Sequence, residues 1–138
     1  MDLNKIKIIL VDDHRLILES WKMLLENDPR FTIIAECDSG QDAINACQEL
    51  KPDIILMDIN MAPINGFDTT RKILSEKPFF KIIGISVNNQ PSYATKMLEI
   101  GGKGFITKGS PFDELTSAIL KVHNGGKYIC EEIKKQMA

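Results

Sequence analysis

Five short apolar runs recur at regular intervals along the chain, and they constrain its fold more than any other feature. They occupy residues 6–11, 31–35, 54–57, 82–85 and 104–106. Runs this short and this rich in isoleucine are typical of strands that are buried on both faces, as in parallel sheets. The chain is therefore expected to form a sheet whose two faces are both covered by other elements.

Between these runs, apolar residues recur at helical spacing, which predicts a helix after each strand. The first helix is expected to bury Ile17, Trp21, Leu24 and Leu25. Ser39 is expected to cap the second helix, and Ser110-Pro111 to open the fifth. Five β-α units predict a doubly wound α/β fold with a five-stranded parallel sheet in the order 2-1-3-4-5. In such sheets the ligand site lies beyond the carboxyl ends of the strands, where the strand order switches.

The composition argues against several functional classes. The formal net charge is −2, so the chain carries no broad positive surface for nucleic acid. Cys37, Cys47 and Cys130 show no paired spacing, and no secretory signal precedes them. Reduced thiols of this kind indicate a cytoplasmic protein, and no apolar run approaches the length of a membrane span. We therefore expect a soluble cytoplasmic domain without membrane contact, whose action on DNA would need a further segment.

Polar side chains with a common chemistry follow four of the predicted strands. Asp12 and Asp13 follow the first strand, Asp58 ends the third, Ser86 follows the fourth and Lys108 follows the fifth. Three carboxylates at one edge repel one another and one lysine cannot balance them, so a divalent cation with oxygen ligands is expected, Mg²⁺ above all. Such an ion screens a phosphoryl group, while the lysine offers that group a point charge and the serine a hydroxyl donor.

Each of these residues also has an ordinary structural interpretation. Asp13 could be a turn residue or a helix cap, Ser86 a loop hydroxyl and Lys108 a solvated surface lysine. Taken singly, these interpretations are favoured; taken jointly they are not, because all of the polar groups fall at one edge of the sheet. His14 is expected to begin the first helix rather than to form a metal motif, and Trp21 is expected to pack in the core.

With these positions in place, residues 5–124 resemble the receiver domain of two-component response regulators, a flavodoxin-like fold. The resemblance implies that Asp12 and Asp13 hold Mg²⁺ (or Mn²⁺), together with Asp58 and the backbone carbonyl of Asn60. It also implies that Asp58 is the phosphoacceptor for a sensor histidine kinase. The chain would then be a phosphorylatable signalling domain and not an enzyme, beyond its own phosphorylation and slow dephosphorylation.

The same resemblance implies a conformational switch. Phosphorylation would draw Ser86 towards the phosphoryl group and move Phe105 inward, which rearranges the face formed by the fourth helix, the fifth strand and the fifth helix. Lys108 would contact the phosphoryl group. Many receivers follow this lysine with a proline in a cis peptide, whereas Gly109 follows it here. A cis bond without proline costs about 3 kcal/mol, so a trans peptide is expected.

The end of the chain points to one branch of the family. Residues 118–129 resemble receivers of the LuxR/NarL type, in which a linker leads to a C-terminal helix-turn-helix domain that binds DNA. We therefore expect a receiver domain over residues 1–125. Residues 126–138 are expected to form a linker or short helix towards an effector domain that this chain lacks. Transcription regulation would be the output, and a homodimer on phosphorylation is a further expectation.

Three alternatives are open at the level of sequence. A stand-alone receiver would act by docking to a partner protein or by relaying phosphate onward. An aspartate-nucleophile phosphatase would need a second Asp two residues after its nucleophile, where this chain has Asn60 after Asp58, or His14 after Asp12. A degraded receiver would take no phosphate, although all the acceptor-site residue types are present here.

Overall fold

Strands and helices alternate in the computed structural model, which describes residues 4–137. The strands are β1 (Ile6–Val11), β2 (Phe31–Cys37), β3 (Ile54–Asp58), β4 (Ile82–Ser86), β5 (Gly104–Thr107) and β6 (Tyr128–Ile129). The helices are α1 (Arg15–Glu26), α2 (Gly40–Glu49), α3 (Gly66–Glu76), α4 (Pro91–Glu99), α5 (Phe112–His123) and α6 (Glu131–Met137). Each predicted apolar run therefore lies within a strand. The outer limits of the predicted segments, residues 1 and 138, lie outside the described residues.

All of these strands form one parallel sheet in the order β2-β1-β3-β4-β5-β6. The prediction of a five-stranded sheet is wrong, because a sixth strand beside β5 extends the predicted order 2-1-3-4-5. In this pairing Tyr128 lies opposite Gly104 and Ile129 opposite Phe105. A strand of two residues is too short to leave a recognisable apolar run in the sequence. The segment expected to be a linker thus begins as part of the sheet.

Helices cover both faces of this sheet. Every residue of β3, β4 and β5 is buried, as is typical of central parallel strands. Trp21 of α1 and Phe112 of α5 line a common pocket, whereas α2 packs against α3. α6 packs against α4 and buries Ile133. None of the described helices is long and apolar enough to cross a membrane.

The local signals at the helices were mostly informative. The Ser39 hydroxyl accepts a hydrogen bond from the backbone N–H of Asp42 at 3.1 Å, which confirms the predicted cap of α2. In α1 the buried residues are Leu18 and Leu25, two helical turns apart. The prediction that Leu24 is buried is wrong, since its exposed fraction is 48%. Trp21 packs against the core as predicted.

Candidate functional site

The register of the sheet brings the carboxyl ends of the central strands together. Val11 of β1 lies beside Met57 of β3, and Ser86 of β4 lies beside Thr107 of β5. Parallel strands all end at the same edge, so the residues that follow them extend into the same space. The polar side chains that the sequence analysis singled out therefore meet where they were expected to meet.

Three carboxylates and one ammonium form the centre of this edge. Asp12 and Asp58 are fully buried, and the side chain of Asp13 is partly exposed. Lys108 Nζ lies 2.9 Å from Asp12 Oδ2 and 3.4 Å from Asp58 Oδ1. One carboxylate oxygen from each aspartate and one ring nitrogen of His14 all lie within 4.8 Å of one another. We call these four residues the acidic cluster, although it includes the histidine.

Lys108 reaches the carboxylates from a regular strand end. Its backbone N–H donates to the carbonyl of Ser86 at 2.8 Å, which fixes the start of the following loop. Within residues 4–137 the cis peptide bond is Ala62–Pro63, so the peptide between Lys108 and Gly109 is trans, as expected. The side chain therefore approaches the site without a cis bond in the loop.

The buried carboxylates and Lys108 shift each other's pKa values. The pKa of Asp58 is raised to about 6, chiefly by burial and then by the charge of Asp12, against the opposing effect of Lys108. Burial lowers the pKa of Lys108, but Asp12 and Asp58 more than offset that effect, so the pKa lies above its usual value. At neutral pH the lysine is therefore charged and Asp58 is mostly ionised.

One oxygen of Asp58 has no hydrogen-bond partner in the part of the chain that the structure describes. Oδ1 accepts from the backbone N–H of Asn60 at 3.2 Å and faces Lys108. Oδ2 is buried and has no hydrogen-bond partner among the residues that the structure describes. A buried, unpaired carboxylate oxygen is unfavourable, and one ammonium leaves three carboxylates with an excess of negative charge. This oxygen-rich, negatively charged donor set fits a hard divalent cation such as Mg²⁺.

Ser86 is held between two asparagines. Its hydroxyl donates to Oδ1 of Asn60 and accepts from the backbone N–H of Asn88 at 3.0 Å. Only the backbone carbonyl of Asn60 entered the sequence analysis, so this side-chain contact was missed. Ser86 and Asn60 are 26 residues apart, and the local sequence gives no signal that they are paired.

Comparison with known proteins assigns the chain to a family. A sequence model of the response regulator receiver domain matches residues 8–120. The chain belongs to this family. A receiver is a signalling domain and not an enzyme of the usual kind, so the alternative of an aspartate-nucleophile phosphatase is not supported.

The relatives of this receiver include a transcriptional regulatory protein and other response regulators. It is 37% identical over 126 residues to the transcriptional regulatory protein DegU of Brevibacillus brevis, covering 91% of this chain and 53% of DegU. It is 34% identical over 133 residues to the response regulator GacA of Pseudomonas aeruginosa, covering 96% of this chain and 62% of GacA. The chain thus spans somewhat more than half the length of these relatives.

A solved structure agrees with this assignment. The crystal structure of a LuxR-family two-component response regulator from Aurantimonas sp. SI85-9A1 superposes with a TM-score of 0.93 at 28% identity, covering 96% of this chain and 95% of that one. Together with DegU and GacA, it confirms the predicted resemblance to receivers of the LuxR/NarL type.

The predicted switch residue of the receiver lies in an aromatic group. Phe105 is fully buried, and its ring centroid lies 6.4 Å from that of Tyr93. Tyr93 in turn packs edge-on against Phe67 at 5.4 Å. Gly84 of β4 provides the space, because a Cβ at that position would lie 3.1 Å from the Phe105 ring. Phe105 is therefore buried within this aromatic group, and its role as a switch stays a prediction.

The side chain of His14 makes contacts in this receiver that the sequence analysis missed. It is the N-cap residue of α1, as expected. Its Nδ1 also lies 3.1 Å from Oδ1 of Asp12 and 3.1 Å from Oδ1 of Asp13. The signal was available, because the histidine directly follows the acidic pair in the sequence. Its interpretation as a helix start concealed that contact.

A contact from the last helix of the receiver was also missed. Glu132 of α6 accepts hydrogen bonds from Oγ1 of Thr107 and from Nδ2 of Asn89, both at 2.8 Å. Gln136 Nε2 donates to the carbonyl of Asn89 at 3.0 Å. α6 is therefore attached to the end of β5 and to the loop between β4 and α4. Contacts between segments this far apart in sequence leave no local pattern.

Proposed function

We propose that this receiver accepts a phosphoryl group on Asp58 from a sensor histidine kinase, and that phosphorylation switches a regulator of transcription. The observation that carries the proposal is Oδ2 of Asp58. This oxygen is buried, lacks a hydrogen-bond partner within the described residues, and belongs to a carboxylate of the acidic cluster. Its lone pairs are not engaged by any hydrogen-bond donor there, so they are available for attack on phosphorus.

A divalent cation completes this proposed site. The carboxylates of Asp12, Asp13 and Asp58 and the backbone carbonyl of Asn60 would hold Mg²⁺ (or Mn²⁺). When bound, the ion neutralises negative charge on the oxygens of the transferring group. Without such compensation, the three carboxylates repel an anionic phosphoryl donor. The excess negative charge of the cluster therefore supports a metal-dependent reaction.

The transfer itself needs two of the protein groups already described. A carboxylate oxygen of Asp58 forms a bond to phosphorus as the bond from phosphorus to the kinase histidine nitrogen breaks, which gives an acyl phosphate. A pKa of about 6 leaves most of the Asp58 carboxylate ionised at neutral pH. Lys108 Nζ, 3.4 Å from Asp58 Oδ1, can pair with an oxygen of the arriving phosphoryl group.

The signal would leave the site through the loop between β4 and α4. Ser86 would exchange its bond to Asn60 for one to a phosphoryl oxygen. The backbone of Asn88 is bonded to the Ser86 hydroxyl, so the loop would move with it. The next residue, Asn89, is bonded to Glu132 of α6. These contacts support a route from the phosphoacceptor to the helix that ends the described chain.

The proposed output is transcription regulation. Residues 1–125 would form the receiver, and residues 126–138 would lead to a DNA-binding helix-turn-helix domain, with a homodimer forming on phosphorylation. A relative named as a transcriptional regulatory protein, longer than this chain, supports this output. The stand-alone receiver is for the same reason not favoured. A cytoplasmic location, where thiols stay reduced, is consistent with free and buried Cys37, Cys47 and Cys130.

Mass measurement of the intact protein tests the chemistry. The wild-type chain and the Asp58→Asn variant are incubated with acetyl phosphate, with and without Mg²⁺. We expect the wild type to gain the mass of one phosphoryl group only when Mg²⁺ is present, and the variant to gain none.

Two results would contradict the proposal. If the wild type gains no phosphoryl group at any Mg²⁺ concentration, the chain is a receiver that no longer takes phosphate. If the Asp58→Asn variant still gains the group, the acceptor is another residue. Asp53→Asn is the matched control, because Asp53 lies at the opposite end of β3 and its carboxylate binds the backbone N–H of Lys7 at 2.8 Å.

A further inference from the structure

We propose that His14 adds a nitrogen ligand to the metal site and shifts its preference from Mg²⁺ towards divalent first-row transition ions. The inference rests on the proposed function, because it concerns the ion that accompanies phosphorylation. It goes further in naming the class of metal. The aspartates and the Asn60 carbonyl supply oxygen alone, so His14 is the one residue of the cluster that changes the chemistry of the donor set.

The distances are those of neighbouring ligands around one ion. Nδ1 of His14 lies 3.1 Å from Oδ1 of Asp12 and 3.1 Å from Oδ1 of Asp13. Bonds of about 2.1 Å from an octahedral ion place adjacent ligand atoms about 3.0 Å apart. These three atoms therefore have the spacing that an octahedral ion needs along two of its edges.

The backbone holds His14 in this position. Its N–H donates to Oδ1 of Asp12 at 2.8 Å, and the residue is the N-cap of α1, so its main chain is fixed at both ends. The imidazole is 65% exposed, which gives an ion access from solvent. Oδ2 of Asp58, in a carboxylate of the same cluster, is buried without a hydrogen-bond partner among the described residues, which independently favours a cation beside this carboxylate.

Ligand chemistry then determines which ion benefits. Mg²⁺ prefers oxygen ligands and keeps several waters, so an imidazole adds little to its affinity. Imidazole nitrogen binds Co²⁺, Ni²⁺ and Zn²⁺ more strongly, following the usual order of divalent metals. A site that includes the His14 nitrogen should therefore favour Co²⁺, Ni²⁺ or Zn²⁺ over Mg²⁺ more strongly than the same site without this nitrogen.

The contacts also have an explanation without metal. A protonated Nδ1 would share its hydrogen between the two carboxylates, and the ring would then serve only to orient Asp12 and Asp13. The two explanations predict different behaviour. A ring that only orients the acidic pair affects Mg²⁺ and Co²⁺ alike, whereas a ligand affects Co²⁺ alone.

Calorimetric titration of the whole chain with MgCl₂ and with CoCl₂ separates them. The variants are His14→Ala and, as the matched control, His123→Ala, which removes the other histidine of the sequence. His123 lies at the end of α5, where its carbonyl accepts from Lys81 Nζ at 2.8 Å. We expect His14→Ala to weaken Co²⁺ binding about tenfold or more and Mg²⁺ binding less than about threefold. The control should change neither.

A spectroscopic measurement can detect direct coordination by His14. It would give no nitrogen signal from His14 if the ring only orients Asp12 and Asp13. The wild type loaded with one equivalent of Cu²⁺, an ion that binds imidazole strongly, should show electron spin-echo modulation from a coordinated imidazole, and His14→Ala should lose it while His123→Ala keeps it. Circular dichroism checks that both variants are folded.

Either of two results would overturn the inference. Equal loss of Mg²⁺ and Co²⁺ affinity in His14→Ala would mean that the ring only orients the acidic pair. Absence of nitrogen modulation in the wild type would mean that the ring is not a ligand. If the wild type binds neither ion, the metal-dependent function proposed above fails as well, which is a different outcome from a failure of His14 alone.

Discussion

The proposed chemistry needs the ionised form of Asp58, and burial of this carboxylate makes the ionised form destabilise the fold. Its pKa is raised to about 6, so between the ordinary carboxyl pKa and that value the folded protein binds more protons than the unfolded chain. The contribution of Asp58 to the free energy of unfolding therefore decreases as pH rises from about 4 to about 6. This decrease in stability persists at neutral pH. Ionised Asp58 destabilises the metal-free protein.

Replacement of Asp58 by asparagine should remove this loss. Without divalent ions, we expect Asp58→Asn to raise the free energy of unfolding at pH 7 by about 1–3 kcal/mol, and to change it little at pH 4. Urea unfolding at the two pH values measures both effects. Asp113→Asn, at an exposed position of α5, is the control and should show no such dependence. A variant less stable than the wild type at pH 7 would contradict the assignment.

Gly66 is a second residue whose identity is dictated by the site. Its N–H donates to the carbonyl of Ile59 at 2.9 Å, and an added Cβ would lie 2.6 Å from Cα of Ile59, in the backbone that follows Asp58. Backbone yields less easily than the end of a side chain. Gly66→Ala should therefore destabilise the fold by about 2 kcal/mol and slow phosphorylation of Asp58.

Urea unfolding and the acetyl phosphate reaction measure the two effects of the Gly66 substitution. Gly109→Ala is matched to it, because among residues 4–137, apart from the chain neighbours of Gly109, no heavy atom lies within 4 Å of a Cβ at this position. The control should unfold like the wild type. Equal effects of the two substitutions would show that the close approach at Gly66 has no particular cost.

For single residues, the sequence indicated where the site residues lie in the fold but not which side chains they contact. Asp12, Asp58 and Lys108 could be placed at one edge because each adjoins an apolar run at the end of a strand, and parallel strands end together. The bond from Ser86 to the Asn60 side chain could not be predicted, since it depends on rotamers and on loop shape. The ring of His14 was missed because a helix cap was a sufficient explanation for its position.

One side chain of α6 joins this helix to two other segments, in addition to the packing of α6 against α4 and the bond from Gln136 to Asn89. Glu132 binds both Thr107 at the end of β5 and Asn89 in the loop between β4 and α4. If it is removed, both segments lose a partner at the same time. We expect Glu132→Ala to increase amide hydrogen exchange in α6 and in that loop, while β1 and β3 stay protected.

The neighbouring glutamate provides a matched substitution for this test. Glu131 contributes its backbone N–H to Glu114 Oε2 at 2.8 Å, and Glu131→Ala leaves that bond in place. Exchange should therefore change little in this variant. A similar increase in both variants would mean that α6 is loosened by any loss of charge and not through Glu132.

The prediction of elements succeeded where each element has its own periodicity. Strands β1 to β5 and the helices between them have runs or faces long enough to read. β6 has two residues, Tyr128 and Ile129, and forms only because β5 offers it an unpaired edge. That edge is a property of the assembled sheet, so no local pattern predicts the sixth strand.

For the whole molecule, the net charge allows a prediction about binding to DNA. The sequence has 17 Lys and Arg residues against 19 Asp and Glu residues, which gives a net charge of −2. Counterion release from DNA needs a cluster of positive charge on the protein. We expect this chain alone not to bind duplex DNA, even at low ionic strength. Fluorescence anisotropy of a labelled duplex measures this, and saturable binding would contradict it.

The sixth strand has a consequence for how the molecule behaves among its own copies. Sheet edges with unpaired N–H and C=O groups can pair with another chain and start aggregation. β5 is buried along its whole length, and β6 pairs with its free side at Gly104 and Phe105 before the chain turns into the charged helix α6. On this side of the sheet the strand that remains at the edge has two residues, which is too short to template a further strand. Residues 128–137 therefore shield one edge of the sheet from pairing with another copy, whereas β2 is the strand at the opposite edge.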